Sequence, residues 1–165
     1  MKHHALKTIM TFLFGMLLII GCDNSTGPET PESATISGTI TFTGTWPTDG
    51  DVTVSLSAPW PPAGPPTAYE LITEADLSSD NTYTYTFENI TFSTYGGVSV
   101  AWEDPENDDN TTNKYFLGAS SGTYPYMETY GAGVDPNPIT VSSTEYALSM
   151  VDISANLSYA VASGN

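Results

Sequence analysis

From Ala34 onward, apolar and polar residues alternate by two along most of the chain. In "TISGTITFTG", Ile36, Ile40 and Phe42 share one face, Gly38 lies between them, and threonines stand opposite. "DVTVSLSA" repeats the pattern with Val52, Val54 and Leu56, and "NTYTYTFENI" sets Tyr83, Tyr85 and Phe87 against Thr82, Thr84 and Thr86. "GGVSVAW" carries Val98, Val100 and Trp102, and "PITVSS" supplies Ile139 and Val141. "AYELIT" and "KYFLG" are weaker signals of the same kind. No long stretch places apolar residues at three-and-four spacing, so helix is nearly absent from the expectation. The turn residues "PTDGD" between the first two runs predict a hairpin joining them.

The final segment, "EYALSMVDISANLSY", keeps two phases. Tyr146, Leu148 and Met150 share one face, while Ile153, Ala155, Leu157 and Tyr159 share the other, so a bulge or break is expected across Val151 and Asp152. About seven such strands joined by turns predict an all-β fold, an antiparallel two-sheet sandwich of the Ig-like kind. Packing the alternating faces of two sheets together is how such strands remove their apolar side from water.

Three stretches, "ISGTITF", "YTFENITFSTYGGVSVAW" and "VDISANLSY", resemble the transthyretin-like (prealbumin-like) sandwiches found in bacterial envelope lipoproteins. Ser93–Thr94–Tyr95 stands where that group usually has Gly–x–Tyr. The resemblance implies the sandwich fold and says little about chemistry, because sites carry function and folds host many.

The N-terminus has its own pattern. Lys2 and Lys7 precede the apolar run "IMTFLFGMLLII", which reads as an export signal and is shorter than the roughly 20 apolar residues a membrane-spanning helix needs. The run leads into "LLIIGC", and Cys22 is the only cysteine. These residues resemble a bacterial lipoprotein signal, with Gly21 before the cysteine and Ile19 three positions ahead of it, and Ile20 where a smaller residue is more usual. The resemblance implies a signal peptide over 1–21 and a lipidated Cys22 as the membrane anchor; the alternative is an ordinary signal with an incidental cysteine. Two or three acyl chains, at about 0.8 kcal/mol per buried methylene, hold a protein stably on a bilayer. Polar "DNSTGPETPES" then gives a flexible tether over 22–33, and the sandwich domain is expected over 34–165. Asp23 resembles the inner-membrane retention signal of some enteric bacteria, which leaves the membrane and its side open between periplasm and cell surface.

Charge narrows the function. Beyond residue 21 the chain has one base, Lys114, against 19 acids, a formal charge of −18, and neither arginine nor histidine. Nucleic acid binding depends on neutralising phosphates with Lys and Arg, so a nucleic acid partner is excluded, and contact of the domain with anionic lipid is disfavoured by the same sign. Such charge also favours a soluble monomer. Without His or Arg, and with one cysteine given to lipid, the domain lacks the parts of Ser–His–Asp triads, Cys–His pairs, His-ligated zinc sites and arginine phosphate clamps. The hydroxyisourate hydrolases, the hydrolytic branch of the transthyretin-like fold, depend on His and Arg that are missing here. The expectation is a protein that is not an enzyme.

Three stretches are candidate sites. In "AWEDPENDDNTTNKYF", Asp104, Glu106, Asp108, Asp109 and Asn110 supply hard oxygen ligands of the type calcium takes six to eight of. The EF-hand spacing fails, with Asp109 where Gly is needed and Tyr115 where Glu is needed, and a solvated acidic loop is the competing reading. In "SLSAPWPPAGPPTAYE", five prolines favour an extended path. There Trp60, with Trp46 and Tyr69, forms a candidate aromatic platform for a carbohydrate or a protein segment, unless Trp60 merely caps the core. "SSGTYPYMETYGAGVDPNP" brings Tyr124, Tyr126 and Tyr130 onto a long irregular connection, expected to be ordered and packed over an edge of the sandwich. Together these features predict a lipid-anchored envelope sandwich acting as a non-catalytic binding module, the competing class being a structural envelope lipoprotein stiffened by calcium.

Overall fold

The computed structural model describes residues 29–109 and 112–161. Residues from Pro31 onward cluster as one unit. The signal segment, Cys22 and Asn110 lie outside the described residues.

Among the described residues ten strands form in chain order: β1 (Ala34–Thr43), β2 (Asp51–Ser57), β3 (Ala68–Ile72), β4 (Thr82–Ile90), β5 (Ser93–Tyr95), β6 (Gly97–Glu103), β7 (Lys114–Ala119), β8 (Ile139–Val141), β9 (Ala147–Leu148) and β10 (Ile153–Asn156). The chain is all-β and sandwich-like. One sheet runs β10–β1–β4, with β9 on β1 beside β10; a second runs β3–β2–β6–β7; β5 and β8 form a small ribbon. Ile36, Ile40, Tyr85 and Ile153 from the first sheet join Val54, Leu56, Val100 and Leu117 from the second in one buried cluster. Full burial of each such aliphatic side chain contributes about 1.5–3 kcal/mol.

Alternation by two identified the inward face of β1, β2, β4 and β6, where Ile36, Val54, Tyr85 and Val100 are fully buried. It did not identify the partners. The predicted hairpin between β1 and β2 is absent: β1 pairs with β4, β9 and β10, whereas β2 pairs with β3 and β6. The connection 44–50 crosses from one sheet to the other instead. Its first end is held by Trp46, whose ring meets Phe42 edge-on at 5.4 Å, and its last end by Trp102, whose Nε1 donates to the Asp49 carbonyl at 2.8 Å. Gly50, at φ 81°, lies so close to the Glu103 carbonyl and the Trp102 indole that a side chain would collide with both.

The expected purely antiparallel pairing also needs correction. The second sheet is antiparallel throughout, but β10 runs parallel to β1 over Ile40–Thr43, and β9 runs parallel to it at Thr35 and Ile36. β9 and β10 thus lie end to end on one side of β1, interrupted at the phase change. Met150 turns the chain there with φ 61°. Val151 donates its N–H to the Ser37 carbonyl at 3.1 Å and directs its own carbonyl beneath Gly38, where a side chain would overlap it. The Tyr85 hydroxyl donates to that carbonyl at 2.6 Å, and the Thr39 N–H donates to Asp152 Oδ1 at 2.8 Å. Before this break Tyr146 and Met150 face solvent, contrary to the expected apolar phase; after it Ile153, Ala155 and Leu157 are buried as expected.

The free side of β4 is met by β3. Glu70 accepts from the Thr86 N–H at 3.1 Å and from the Tyr83 hydroxyl at 2.8 Å, so one carboxylate satisfies a backbone group that an edge strand would otherwise expose. Burial and the Glu70 charge push the Tyr83 phenol up to about 12.

Candidate functional site: an aromatic layer outside the second sheet

β6 is buried on both faces. Val98, Val100 and Trp102 point into the sandwich, leaving Ser99 and Ala101 on the outer face, where they are nonetheless 1% and 6% exposed. On β7, Ala101 faces Phe116 and Ser99 faces Ala119, with a bulge at Leu117 between them. The Phe116 ring lies 5.2 Å from Trp60 and 6.0 Å from Tyr126, and Trp60 meets Tyr126 edge-on at 5.1 Å. The proline-rich loop and the tyrosine-rich loop therefore converge with this strand, forming a third layer over the outer face.

Glycines set this convergence. Gly96, just before β6, lets the Pro59–Trp60 backbone approach so closely that any side chain would strike it, and its N–H donates to the Ser57 and Ala58 carbonyls at 2.8 Å. In the tyrosine loop, Thr123 and Val134 exchange backbone hydrogen bonds of 2.6 and 2.9 Å and close the segment on itself. Gly133 lies inside that closure against the Thr123 and Pro125 carbonyls, with no room for a Cβ. A helical turn, Met127–Tyr130, ends at Gly131 in the left-handed region. The loop closes on itself and lies over the side of the sheet that ends in β7.

Ring packing extends through Tyr124, which stacks on Tyr159 at 3.8 Å and 24°, touches Tyr126 edge-on at 6.0 Å and lies 5.5 Å from Tyr130. Tyr126 has no exposed surface, and burial first, then the neighbouring tyrosines, push its phenol well above the usual range. Its hydroxyl, the Trp60 Nε1 and the Ser99 Oγ are buried polar atoms without a hydrogen-bond partner among the described residues. Each such orphan costs about 1–3 kcal/mol. Outward from the rings lies a groove of about 820 Å³ between Pro61–Pro66 on one side and Thr129–Tyr130 on the other, with Phe116 and Lys114 along it. Met127, Tyr130 and Val134 are exposed at 59%, 46% and 54% on the adjoining loop.

The expected platform of Trp46, Trp60 and Tyr69 does not form. Trp46 packs on Phe42 by the crossing connection, Trp60 belongs to the outer layer with its indole turned inward, and Tyr69 projects alone from β3 at 66% exposure. The link that sequence reasoning missed is Phe116. Its signal was the small outer-face pair Ser99 and Ala101 beside it, since small residues on a covered face admit large ones from above.

The acidic loop is built as a turn. Asp104, 1% exposed, accepts from the Glu106 N–H at 2.9 Å, its own N–H donates to the Asn113 carbonyl, and Asn107 accepts from the Asp109 N–H at 3.0 Å. Glu103 takes the Asn113 amide at 3.0 Å and lies 3.5 Å from the Lys114 ammonium, a half-exposed ion pair. Asp104, Glu106, Asp108 and Asp109 do not converge: no three His, Cys, Asp or Glu side chains among the described residues are grouped to hold a metal ion.

Comparison with protein-family models, with curated proteins and with solved structures finds no match.

Proposed function

We propose that this chain is a lipid-anchored, non-catalytic interaction module of the bacterial envelope, carried on the membrane through Cys22, with the groove of the outer aromatic layer as its contact surface. One observation carries the reading. The two loops singled out by composition meet on one side of the fold and leave Met127, Tyr130 and Val134 exposed beside a proline-walled groove. Contiguous exposed apolar surface is what interaction sites present, and Tyr130 both lines the groove and is exposed. The signal-like N-terminus, the polar stretch after it and the strongly acidic domain support display on a tether outside the cytoplasm. The transthyretin-like resemblance of the strands supports the same class of envelope protein. The competing reading, a structural lipoprotein, is favoured by Trp46 and Trp60 being packed against the body of the domain.

Two measurements test the proposal. Mass spectrometry of the mature N-terminus should find Cys22 diacylated or triacylated. A photo-crosslinking amino acid at position 130, in cells carrying the full chain, should give a discrete adduct that the same group at exposed Tyr146 does not. Equal labelling at both positions removes the groove as a contact surface and leaves the structural reading.

A further inference from the structure

Resting on the reading of the groove as the contact surface, we infer that its occupant is an extended peptide segment of a partner protein, with apolar side chains flanked by lysine or arginine, and not a saccharide.

The geometry of the rings separates the two classes. A sugar is held by a broad open ring face with polar groups at its rim. Here those faces are turned on one another: Tyr124 is stacked on Tyr159, Trp60 is packed against both Phe116 and Tyr126, and Tyr126 is wholly enclosed. The surface left outside is a trough with proline walls, Phe116 along it and Tyr130 at its margin, and the loop that carries Tyr130 also exposes Met127 and Val134. Prolines and an unbranched methionine accommodate apolar side chains of varied shape, and methionine recurs on surfaces that bind many peptides. The trough is formed without an occupant, so the ordering cost of docking falls on the extended segment alone.

Charge selects the flanks. Lys114, the one base of the domain, already faces Glu103, and Glu128 and Asp135 lie on the loop that carries Tyr130. A field set by 19 acids draws cationic segments toward the surface and repels acidic glycans. The same field opposes a second copy of this chain as the occupant.

The test is selection from a random library of displayed 12-residue peptides on the full chain purified in detergent, alongside an array of neutral and acidic oligosaccharides. Tyr130→Ser and Glu128→Lys chains serve as controls; both positions are exposed, and an unchanged melting temperature verifies their fold. The expected result is enrichment of peptides that combine an apolar or aromatic centre with two or more Lys or Arg. Their Kd should rise about tenfold in either variant, and rise again from 50 to 500 mM salt. Enriched peptides without excess positive charge, or with the same Kd in the variants, overturn the inference. An oligosaccharide whose binding is lost in Tyr130→Ser overturns the peptide class while keeping the groove as the contact surface. Selection of no ligand of either kind overturns both.

Discussion

Two tyrosines with no exposed surface occupy opposite sides of the second sheet and obey different rules. Tyr85, between the sheets, places its hydroxyl on the Val151 carbonyl at 2.6 Å, so a buried donor and a buried acceptor satisfy each other at the break between β9 and β10. Tyr126, in the outer layer, buries its hydroxyl with no partner, and Trp60 Nε1 and Ser99 Oγ share that condition. The inner core is resolved in both packing and polarity. In the outer layer the rings pack closely, but these three polar atoms find no partner among the described residues. The contrast separates two regions that pack equally closely but differ in how their buried polar atoms are satisfied.

The comparison breaks most forcefully at glycine. Gly38 has no room for a Cβ because the Val151 carbonyl lies beneath it, with the Tyr85 hydroxyl close behind. Gly38→Ala should cost about 3 kcal/mol, the upper part of the usual range for over-packing, since it displaces the carbonyl and loosens the hydrogen bond together. Gly64, in the proline loop of the outer layer, has open space around it, and Gly64→Ala should change stability by less than about 1 kcal/mol, toward stabilisation. Urea unfolding of both variants decides the matter. Equal losses would mean that the proline loop is as constrained as the core.

Removing one hydroxyl from each side gives a smaller effect of opposite sign. Tyr85→Phe leaves the Val151 carbonyl buried and unpaired and should cost about 1–3 kcal/mol. Tyr126→Phe removes an orphan and should leave stability unchanged or raise it by up to about 1 kcal/mol. A loss at Tyr126 as large as that at Tyr85 would show a hidden partner for its hydroxyl and erase the distinction between the layers.

These pairs also show what was legible beforehand. Alternation gave the buried faces of β1, β2, β4 and β6, because burial is a local property of a half-covered strand. It could not give β1 its neighbours. Ser37 and Val151 are joined by a hydrogen bond across more than a hundred residues, and nothing in either stretch names the other. The PTDGD turn looked like a hairpin because turn residues fix a change of direction, not the sheet the chain then enters. The phase change at Val151 was readable, since it breaks the period, but its use of Gly38 as a seat for a carbonyl was not. At the site, the proline and tyrosine loops announced themselves by composition, whereas their meeting at Phe116 depended on a face of β6 that only tertiary packing covers. Tyr69, read as a member of the platform, projects into solvent from the edge strand β3.

Alkaline titration sharpens the same contrast at smaller amplitude. Burial raises both phenols above their ordinary value, aided at Tyr85 by the nearby charges of Asp152 and Glu70 and at Tyr126 by the surrounding tyrosines. A group whose proton is held more tightly in the folded state contributes stability that is fully present below its unfolded pKa, about 10 for tyrosine, and is lost as pH rises toward the folded value. Stability should therefore fall above about pH 10, each of the two tyrosines contributing a slope of about 1.4 kcal/mol per pH unit. Either Phe variant should remove one such slope. The Tyr85→Phe deficit should then shrink as pH rises from 10 to 11, while Tyr126→Phe should move from neutral to stabilising over the same interval. Thermal melts across pH 8–11 provide the check. Parallel curves for the native chain and Tyr126→Phe would mean that the Tyr126 phenol titrates alike in the folded and unfolded chains, so that solvent reaches its hydroxyl in the fold.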